Sequence, residues 1–143
     1  MLVKDVMNKD VKTIGPEATV REAAEAMDSY GVSNLVVVSD SMLSGIITET
    51  DLVRKVLAAG LDPVEARVKE VMTKQVVYVR PSLGIKEAAE VMVSRKIKSL
   101  PVVEEGRLLG IVTASDICTI EPKMVETVGK LFVLGSSQEH AAG

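Results

Sequence analysis

A hydroxyl and a carboxylate three residues apart occur twice in this chain, each time directly after a short apolar run. The two copies are Gly45–Asp51, with the sequence GIITETD, and Gly110–Asp116, with the sequence GIVTASD. In both copies the β-branched residues after the glycine indicate a buried strand, and the Thr and Asp then fall at the start of a helix. Both helix starts are therefore candidate sites for a polar ligand.

The chemistry of such a helix start suits the sugar and phosphate of a nucleotide. Unpaired backbone N–H groups at a helix N-terminus bind phosphate, and the hydroxyl of Thr48 or Thr113 adds a donor. The carboxylate of Asp51 or Asp116 can accept hydrogen bonds from the two hydroxyls of a ribose, as acidic residues do in dinucleotide-binding folds. These four residues are the first candidate binding residues.

The same spacing also has a purely structural interpretation. Thr48 with Asp51, and Thr113 with Asp116, have the spacing of a capping box, in which the Thr and the residue three positions later satisfy each other's backbone N–H groups. Taken alone, the four-residue pattern favours this interpretation. Duplication does not separate the two interpretations, because both copies inherit whatever the ancestral sequence used.

Composition and charge narrow the class of protein. The chain has 143 residues, of which 47% are hydrophobic, so we expect one compact domain or two small ones that share a core. No apolar run reaches the ~20 residues of a membrane span, and no apolar signal segment is present at the start, so we expect a cytoplasmic protein. The single cysteine, Cys118, excludes a disulfide framework within one chain. A net charge of -3 and only 2% aromatic residues argue against nucleic-acid binding.

An internal repeat determines the predicted domain organisation. When the sequence is shifted by 65 residues, Val3–Arg54 aligns with Val68–Thr119 without a gap, and 21 of the 52 aligned positions are identical. This similarity indicates a duplication. We predict a first repeat with its linker over residues 1–66 and a second repeat over residues 67–120. Residues 121–143 are predicted to form a C-terminal helix and a loose tail.

Each repeat is predicted to be a β-α-β-β-α unit that follows a short helical turn. In the first repeat an amphipathic helix covers Thr19–Tyr30, and Thr19 with Glu22 forms a capping box. Two strands follow, and a second helix runs from Glu49 to about Ala59. The predicted class is α/β (α+β), with two repeats packed about a pseudo-two-fold axis and a Thr–Asp motif in each of two clefts between them. Met124, Val128, Leu131 and Phe132 have helical spacing and predict the C-terminal helix.

These features resemble the cystathionine-β-synthase (CBS) domain family in its tandem form, the Bateman module. The resemblance covers about Val3–Thr119 and includes the Val-x-x-Val-Met openings, the Leu100–Val103 stretch and the two G-x-x-T-x-x-D motifs. It implies a pseudo-symmetric pair of repeats that binds AMP, ADP, ATP or S-adenosylmethionine and holds no other cofactor. The first repeat departs from the family pattern, because it has Leu35-Val36-Val37 where Leu-Pro-Val is usual.

The resemblance also implies roles for individual residues. Asp51 and Asp116 would hold the ribose, and Thr48 and Thr113 would contact phosphate. The backbone of two extended segments would meet the adenine, and the residues concerned are Thr13, Ile14, Pro16, Tyr78, Val79 and Pro81. Two basic residues, Arg54 and Lys98, align with Thr119 and Ser33 respectively, so the two sites are expected to differ in affinity for charged ligand tails.

The expected function is that of a non-catalytic sensor. It would bind an adenosine-containing ligand, form a homodimer as CBS pairs commonly do, and transmit its occupancy to a regulated protein. One alternative is a structural or dimerisation module that binds no ligand. An enzyme is disfavoured because the sequence has no P-loop, no metal-ligand cluster and no recognisable pairing of a nucleophile with a base.

Overall fold

The computed structural model describes residues 1–130, which form a mixed α+β fold. In chain order the elements are α1 (Val3–Val6), β1 (Thr13–Ile14), α2 (Val20–Tyr30), β2 (Asn34–Ser39), β3 (Met42–Thr48), α3 (Glu49–Asp51), α4 (Val68–Val71), α5 (Ile85–Arg95), β4 (Ser99–Glu104), β5 (Arg107–Thr113) and α6 (Ala114–Ile120). A 3₁₀ turn, Pro122–Met124, leads into a helix that covers residues 125–130. The predicted β-α-β-β-α order is confirmed, although in the second repeat the first strand is reduced to a single parallel pairing of Val79 with Val102. No helix of the described part is long and apolar enough to cross a bilayer.

The described residues form two compact units whose limits differ from those of the sequence repeats. The Asp51 unit consists of Val11–Val76 and Gly106–Leu108. The Asp116 unit consists of Met1–Asp10, Val77–Glu105 and the described residues from Leu109 onward. Each unit therefore contains the opening helix of the other repeat, since α4 belongs to the Asp51 unit and α1 belongs to the Asp116 unit.

The Asp51 unit is built on strands β1, β2 and β3. β1 pairs with β2 in parallel, and β2 pairs with β3 in antiparallel register, with Asn34 opposite Thr48. Thr48 therefore lies at the edge of the sheet where β2 begins. The core of this unit contains Val20, Ala23, Met27, Leu35, Val37, Ile47, Val56, Ala66, Val68 and Val71.

The amphipathic helix α2 covers the sheet of the Asp51 unit with the ends that its sequence predicts. The Thr19 hydroxyl accepts a hydrogen bond from the Glu22 N–H at 3.1 Å, and the Glu22 carboxylate accepts the Thr19 N–H at 3.2 Å. Gly31 ends the helix in the left-handed conformation, with φ of 68°, which glycine adopts without steric cost. The capping box and the glycine stop are therefore confirmed.

The Asp116 unit has its own core, in which helix α5 packs with strands β4 and β5. The buried residues are Val3, Val79, Ala88, Ala89, Met92, Leu100, Val102, Val112, Ala114, Ile117, Met124 and Val128. Val3 comes from α1, and Val128 comes from the helix after the 3₁₀ turn. The predicted C-terminal stripe is thus buried at Met124 and Val128, whereas Leu131 and Phe132 lie outside the described residues.

The second helix of the first repeat differs from the prediction in its hydrogen bonding. After one turn of α-helix the chain continues as a π-helix over Leu52–Leu57, and the Ala58 N–H bonds the Val53 carbonyl five residues earlier at 2.8 Å. The equivalent helix α6 in the second repeat is α-helical throughout. Side-chain periodicity does not distinguish these helix types over six residues, which is why the sequence predicts an ordinary helix here.

Helix α4 is fixed within the Asp51 unit by backbone hydrogen bonds at both of its ends. At its start, the Val68 N–H bonds the Ala18 carbonyl at 2.8 Å, and the Lys69 N–H bonds the Pro16 carbonyl at 3.0 Å. Just after its end, Thr73 and Ile46 exchange two hydrogen bonds of 2.8 and 3.0 Å. The segment therefore adds a short antiparallel pairing to the end of β3.

Helix α1 is held in the same way within the Asp116 unit. The Val3 N–H bonds the Leu83 carbonyl at 2.8 Å, and the Lys4 N–H bonds the Pro81 carbonyl at 3.1 Å. After the helix, Asn8 and Ile111 exchange hydrogen bonds of 2.8 and 2.9 Å. Both opening segments thus pair with the strand that leads to a Thr–Asp motif.

The glycine at the head of each motif allows this close approach. A Cβ atom at Gly45 would lie 2.8 Å from the Met72 sulfur and 2.8 Å from the Thr73 carbonyl oxygen. At Gly110 the corresponding distances, to the Met7 sulfur and the carbonyl oxygen of Asn8, are 2.8 and 2.9 Å. Since part of each contact is backbone, a larger residue cannot be accommodated by rotation of a side chain alone.

We predict that Gly45→Ala lowers the free energy of unfolding by about 1–3 kcal/mol, because the added methyl group overpacks the contact with α4 and the residue after it. Urea denaturation followed by circular dichroism measures this change. Gly15→Ala is the matched control, since a Cβ at Gly15 would meet no atom within 4 Å. Equal stability of the two variants would show that the close approach does not require a glycine.

Candidate functional site

Both Thr–Asp motifs form reciprocal capping boxes. In the Asp51 unit the Asp51 N–H donates to the Thr48 hydroxyl at 3.1 Å, and the Thr48 N–H donates to Asp51 Oδ2 at 3.0 Å. In the Asp116 unit the same two bonds, between Thr113 and Asp116, measure 3.1 and 3.2 Å. The structural interpretation of the spacing is therefore confirmed at both motifs.

A capping box leaves part of the hydrogen-bonding capacity of its side chains unused. A threonine hydroxyl that accepts one bond still has a hydrogen to donate, and an ionised carboxylate offers about four acceptor positions of which the cap occupies one. The remaining capacity matches the ligand chemistry that the sequence suggests. The capping and binding interpretations are thus compatible with each other.

In the Asp51 unit most of that remaining capacity is already used. Asp51 is only 6% exposed, and its Oδ1 lies 2.9 Å from the ammonium of Lys55 and 3.4 Å from the Thr73 hydroxyl. The Lys55 ammonium also donates to the Val71 carbonyl at 3.0 Å.

Neither Lys55 nor Thr73 is among the residues predicted to form the site. The sequence could have indicated Lys55 as a partner of Asp51, because it lies four residues after the aspartate, a spacing at which opposite charges meet on a helix. Thr73 had no such signal, since it reaches Asp51 only through the docking of the segment after α4.

In the Asp116 unit the equivalent carboxylate is more open. Asp116 is half-buried, and its hydrogen bonds within the described part of the chain are those with Thr113. Ile120 and Asn8 stand at the positions equivalent to Lys55 and Thr73. No buried side-chain oxygen or nitrogen of residues 1–130 lacks a partner, so the second carboxylate oxygen of Asp116 faces solvent.

The structure places the two predicted basic residues on the elements beside the motifs. The backbone carbonyl of Lys98 accepts the Ala114 N–H at 2.8 Å, which puts Lys98 next to the start of α6. Arg54 lies on the π-helix, three residues after Asp51 and exposed. Arg54 therefore belongs to the Asp51 unit, and Lys98 belongs to the Asp116 unit.

The first predicted adenine segment lies on the strand β1 of the Asp51 unit. Thr13 and Ile14 pair with Val36 and Val37 of β2. Because neighbouring strands are ~4.8 Å apart, β1 lies two strands, or about 10 Å, from β3, which ends at Thr48. The prediction also places the Pro16 backbone at the ligand, but the Pro16 carbonyl already accepts a hydrogen bond from the Lys69 N–H of α4.

The second adenine segment is placed similarly in the Asp116 unit. The Val79 N–H donates to the Pro101 carbonyl at 3.0 Å, and the Val79 carbonyl accepts the Val103 N–H at 2.9 Å. The Pro81 carbonyl already accepts a hydrogen bond from the Lys4 N–H of α1. The described residues provide no hydrogen bond to the backbone of Tyr78, so among these three residues Tyr78 keeps both backbone groups available to a ligand.

Two surface cavities of the Asp51 unit lie beside α2. One, of about 570 Å³, lies between the end of α2 and the start of α3 and is bounded by Ser33 and Glu49. The other, of about 440 Å³, lies between α2 and the π-helix. Neither cavity is lined by Thr48 or Asp51. Residues 1–130 contain no group of three or more His, Cys, Asp or Glu that could hold a metal ion.

Comparison with known proteins identifies relatives of the whole repeat region. The chain is 38% identical over 128 residues to MK0525 of Methanopyrus kandleri, a match that covers 88% of this chain and 65% of that protein's length. It is 36% identical over 121 residues to hypoxic response protein 1 of Mycobacterium tuberculosis, which covers 84% of this chain and 85% of that protein. The second relative therefore consists largely of the region shared with this chain.

Solved structures agree with these sequence relationships. The crystal structure of hypoxic response protein I with two coordinated zinc ions matches with a TM-score of 0.77 and 36% identity over 84% of this chain and 98% of that one. A hexameric CBS-CP12 protein from bloom-forming cyanobacteria matches with a TM-score of 0.72 and 36% identity over 88% of this chain and 70% of that one. The sequence profile of the CBS domain matches residues 3–58 and residues 68–122. With two profile matches that span most of its length, this chain belongs to the CBS domain family.

Proposed function

We propose that this chain is a non-catalytic regulatory module that binds an adenosine-containing ligand and signals its occupancy to a partner protein. The ligand class comprises AMP, ADP, ATP and S-adenosylmethionine. The observation that carries the proposal is the arrangement at Asp116, where a solvent-facing carboxylate oxygen lies beside the Thr113 hydroxyl at the start of α6. Membership of the CBS domain family supports the same assignment.

Each part of such a ligand has a chemical counterpart in the Asp116 unit. The Asp116 carboxylate accepts the ribose hydroxyls, and the Thr113 hydroxyl donates to a phosphate or to another acceptor on the ligand. The backbone of Tyr78 has an N–H and a carbonyl available for the edge of the adenine. In the Asp51 unit the equivalent residues are Asp51, Thr48 and the segment around Thr13, but Asp51 has fewer acceptor positions left for a ribose because Lys55 and Thr73 already bond it.

A structural module without a ligand is the second candidate, and the capping boxes favour it. Both Thr–Asp pairs already stabilise a helix start, so their presence does not require a ligand. The non-enzymatic part of the proposal is supported by hypoxic response protein 1, of which the shared region makes up 85%. The two candidates differ in a property that is simple to measure, namely stabilisation by nucleotides.

We predict that adenine ligands raise the unfolding temperature. At 100 times its dissociation constant a ligand that binds only the folded state stabilises it by ~2.7 kcal/mol, which corresponds to roughly 5–11 °C for a domain of this size. Differential scanning fluorimetry with AMP, ADP, ATP, S-adenosylmethionine and GMP, each with and without Mg²⁺, measures the shift. The absence of a shift with all four adenine ligands at millimolar concentration would favour the structural module.

A substitution at Asp116 separates binding from capping. We predict that Asp116→Asn retains the cap, because the amide oxygen still accepts the Thr113 N–H, but loses an acceptor for the ribose. The expected loss of affinity for the ligand from the panel is about tenfold or more, in line with one charge-assisted hydrogen bond. Isothermal titration calorimetry measures the affinity, and thermal unfolding measures the stability.

The matched control for this variant is Glu22→Gln in the capping box of α2. It makes the same change from carboxylate to amide at the same position of a helix, but at a place with no proposed ligand. We expect it to leave the affinity unchanged. If Asp116→Asn binds as tightly as the wild type, the carboxylate does not hold the ribose.

We further propose that two copies of the chain associate as a homodimer through the groove between α2 and the π-helix. This groove of about 440 Å³ is lined largely by apolar residues, and at its rim Leu57 is 70% exposed. Exposed apolar side chains of this kind mark interaction surfaces when they lie together, and Val53 on the same helix is 55% exposed. The hexameric assembly of the similar CBS-CP12 protein supports self-association.

We predict that Leu57→Lys shifts the chain from dimer to monomer, because the substitution places a charge in the apolar groove. Light scattering coupled to size-exclusion chromatography measures the mass. Met42→Lys, at an apolar side chain that is 40% exposed at the start of β3, serves as the control and should remain dimeric. A wild-type chain that elutes as a monomer at high concentration would contradict the homodimer.

A further inference from the structure

The two aspartates differ in how many hydrogen-bond acceptor positions they have left. An ionised carboxylate has about four such positions. Asp51 receives three donors, because the Thr48 N–H bonds Oδ2 while Lys55 and Thr73 bond Oδ1. Asp116 receives one donor within the described residues, the Thr113 N–H. About one position therefore remains on Asp51, whereas about three remain on Asp116.

A ribose presents two neighbouring hydroxyl donors to such a carboxylate. Asp116 can accept both hydroxyls without losing its cap. Asp51 can accept only one hydroxyl unless Lys55 or Thr73 gives up its bond. Displacing Lys55 is costly because Asp51 is almost fully buried and needs a cationic partner, and because the lysine is also bonded to the Val71 carbonyl.

From this difference we infer that Lys55 is a specificity-determining residue. It keeps the site at Asp51 from preferring a ribose over a deoxyribose. The second site, at Asp116, is then the ribose-selective site. The inference rests on the proposed function and refines it, since it states which of the two sites discriminates an adenine ribonucleotide. Lys55 acts through Asp51, because its ammonium holds the carboxylate in place and occupies one of its acceptor positions.

The second repeat provides an internal comparison for this role. Ile120 stands at the position of Lys55, four residues after Asp116, and is 45% exposed, so a lysine can replace it without entering the core. Asn8 stands at the position of Thr73 and is exposed. A lysine at residue 120 would have the same i, i+4 spacing to Asp116 that Lys55 has to Asp51.

The experiment is calorimetric titration with AMP and with 2′-deoxy-AMP, which differ in one of the two hydroxyls. For the wild type we expect one site that prefers AMP by about tenfold, the worth of one charge-assisted hydrogen bond, and a weaker site with a ratio near one. In Ile120→Lys the tighter site should lose about tenfold in AMP affinity, and its preference for ribose should fall toward one. Lys55→Ile should make the weaker site prefer ribose.

Val125→Lys is the matched control, because it adds the same charge at an apolar position that is 53% exposed and lies outside α6. It should keep the wild-type preference for ribose. The ratio of the two affinities also separates this role from a structural one, since a change in stability alone lowers both affinities together. If Lys55→Ile does not fold, Ile120→Lys decides the question on its own.

Three results would overturn the inference: an unchanged ribose preference in Ile120→Lys, equal preferences at both wild-type sites, or no binding of AMP. The first two leave the proposed function intact, because AMP still binds. If AMP does not bind, the fluorimetry with the other adenine ligands tests the proposed function. A rise in unfolding temperature with another adenine ligand supports the proposed function, and no rise with any adenine ligand contradicts it.

Discussion

The close contact between each opening segment and the strand before a Thr–Asp motif determines much of both units. Gly45 and Gly110 lack the Cβ atom that would lie within 3 Å of the segments after α4 and α1. That absence allows two backbone hydrogen bonds at each contact, between Ile46 and Thr73 in one unit and between residues 111 and 8 in the other. In the Asp51 unit the same contact brings the Thr73 hydroxyl to 3.4 Å from the Asp51 carboxylate.

The two aspartates differ in how much hydrogen-bonding capacity a capping carboxylate retains. A carboxylate that caps a helix uses one of its acceptor positions, and the others need water, a ligand or another protein group. Asp51 is almost fully buried and is satisfied by Lys55 and Thr73. Asp116 is half-buried and remains accessible to solvent. The same motif therefore has different chemistry in the two units.

This difference arises although the repeats share 21 of 52 aligned residues. Many identical positions lie in the elements and their cores, whereas Lys55 and Ile120, each four residues after the aspartate of its repeat, are chemically opposite. The helix that carries Lys55 is also π-helical, while its counterpart is α-helical. Duplication has thus preserved the fold of each repeat and allowed its site to diverge.

Local sequence determined the features that depend on short-range contacts. The limits of α2, its capping box at Thr19, its stop at Gly31 and the capping geometry of both Thr–Asp motifs follow from residues within four positions of one another. Family resemblance supplied the assigned ligand and the residue roles. The tertiary structure alone decided that α1 and α4 belong to the units of the opposite repeats, and that Thr73 reaches Asp51 from 22 residues away. Those contacts depend on how distant segments pack, and spacing along the chain contains no direct record of that packing.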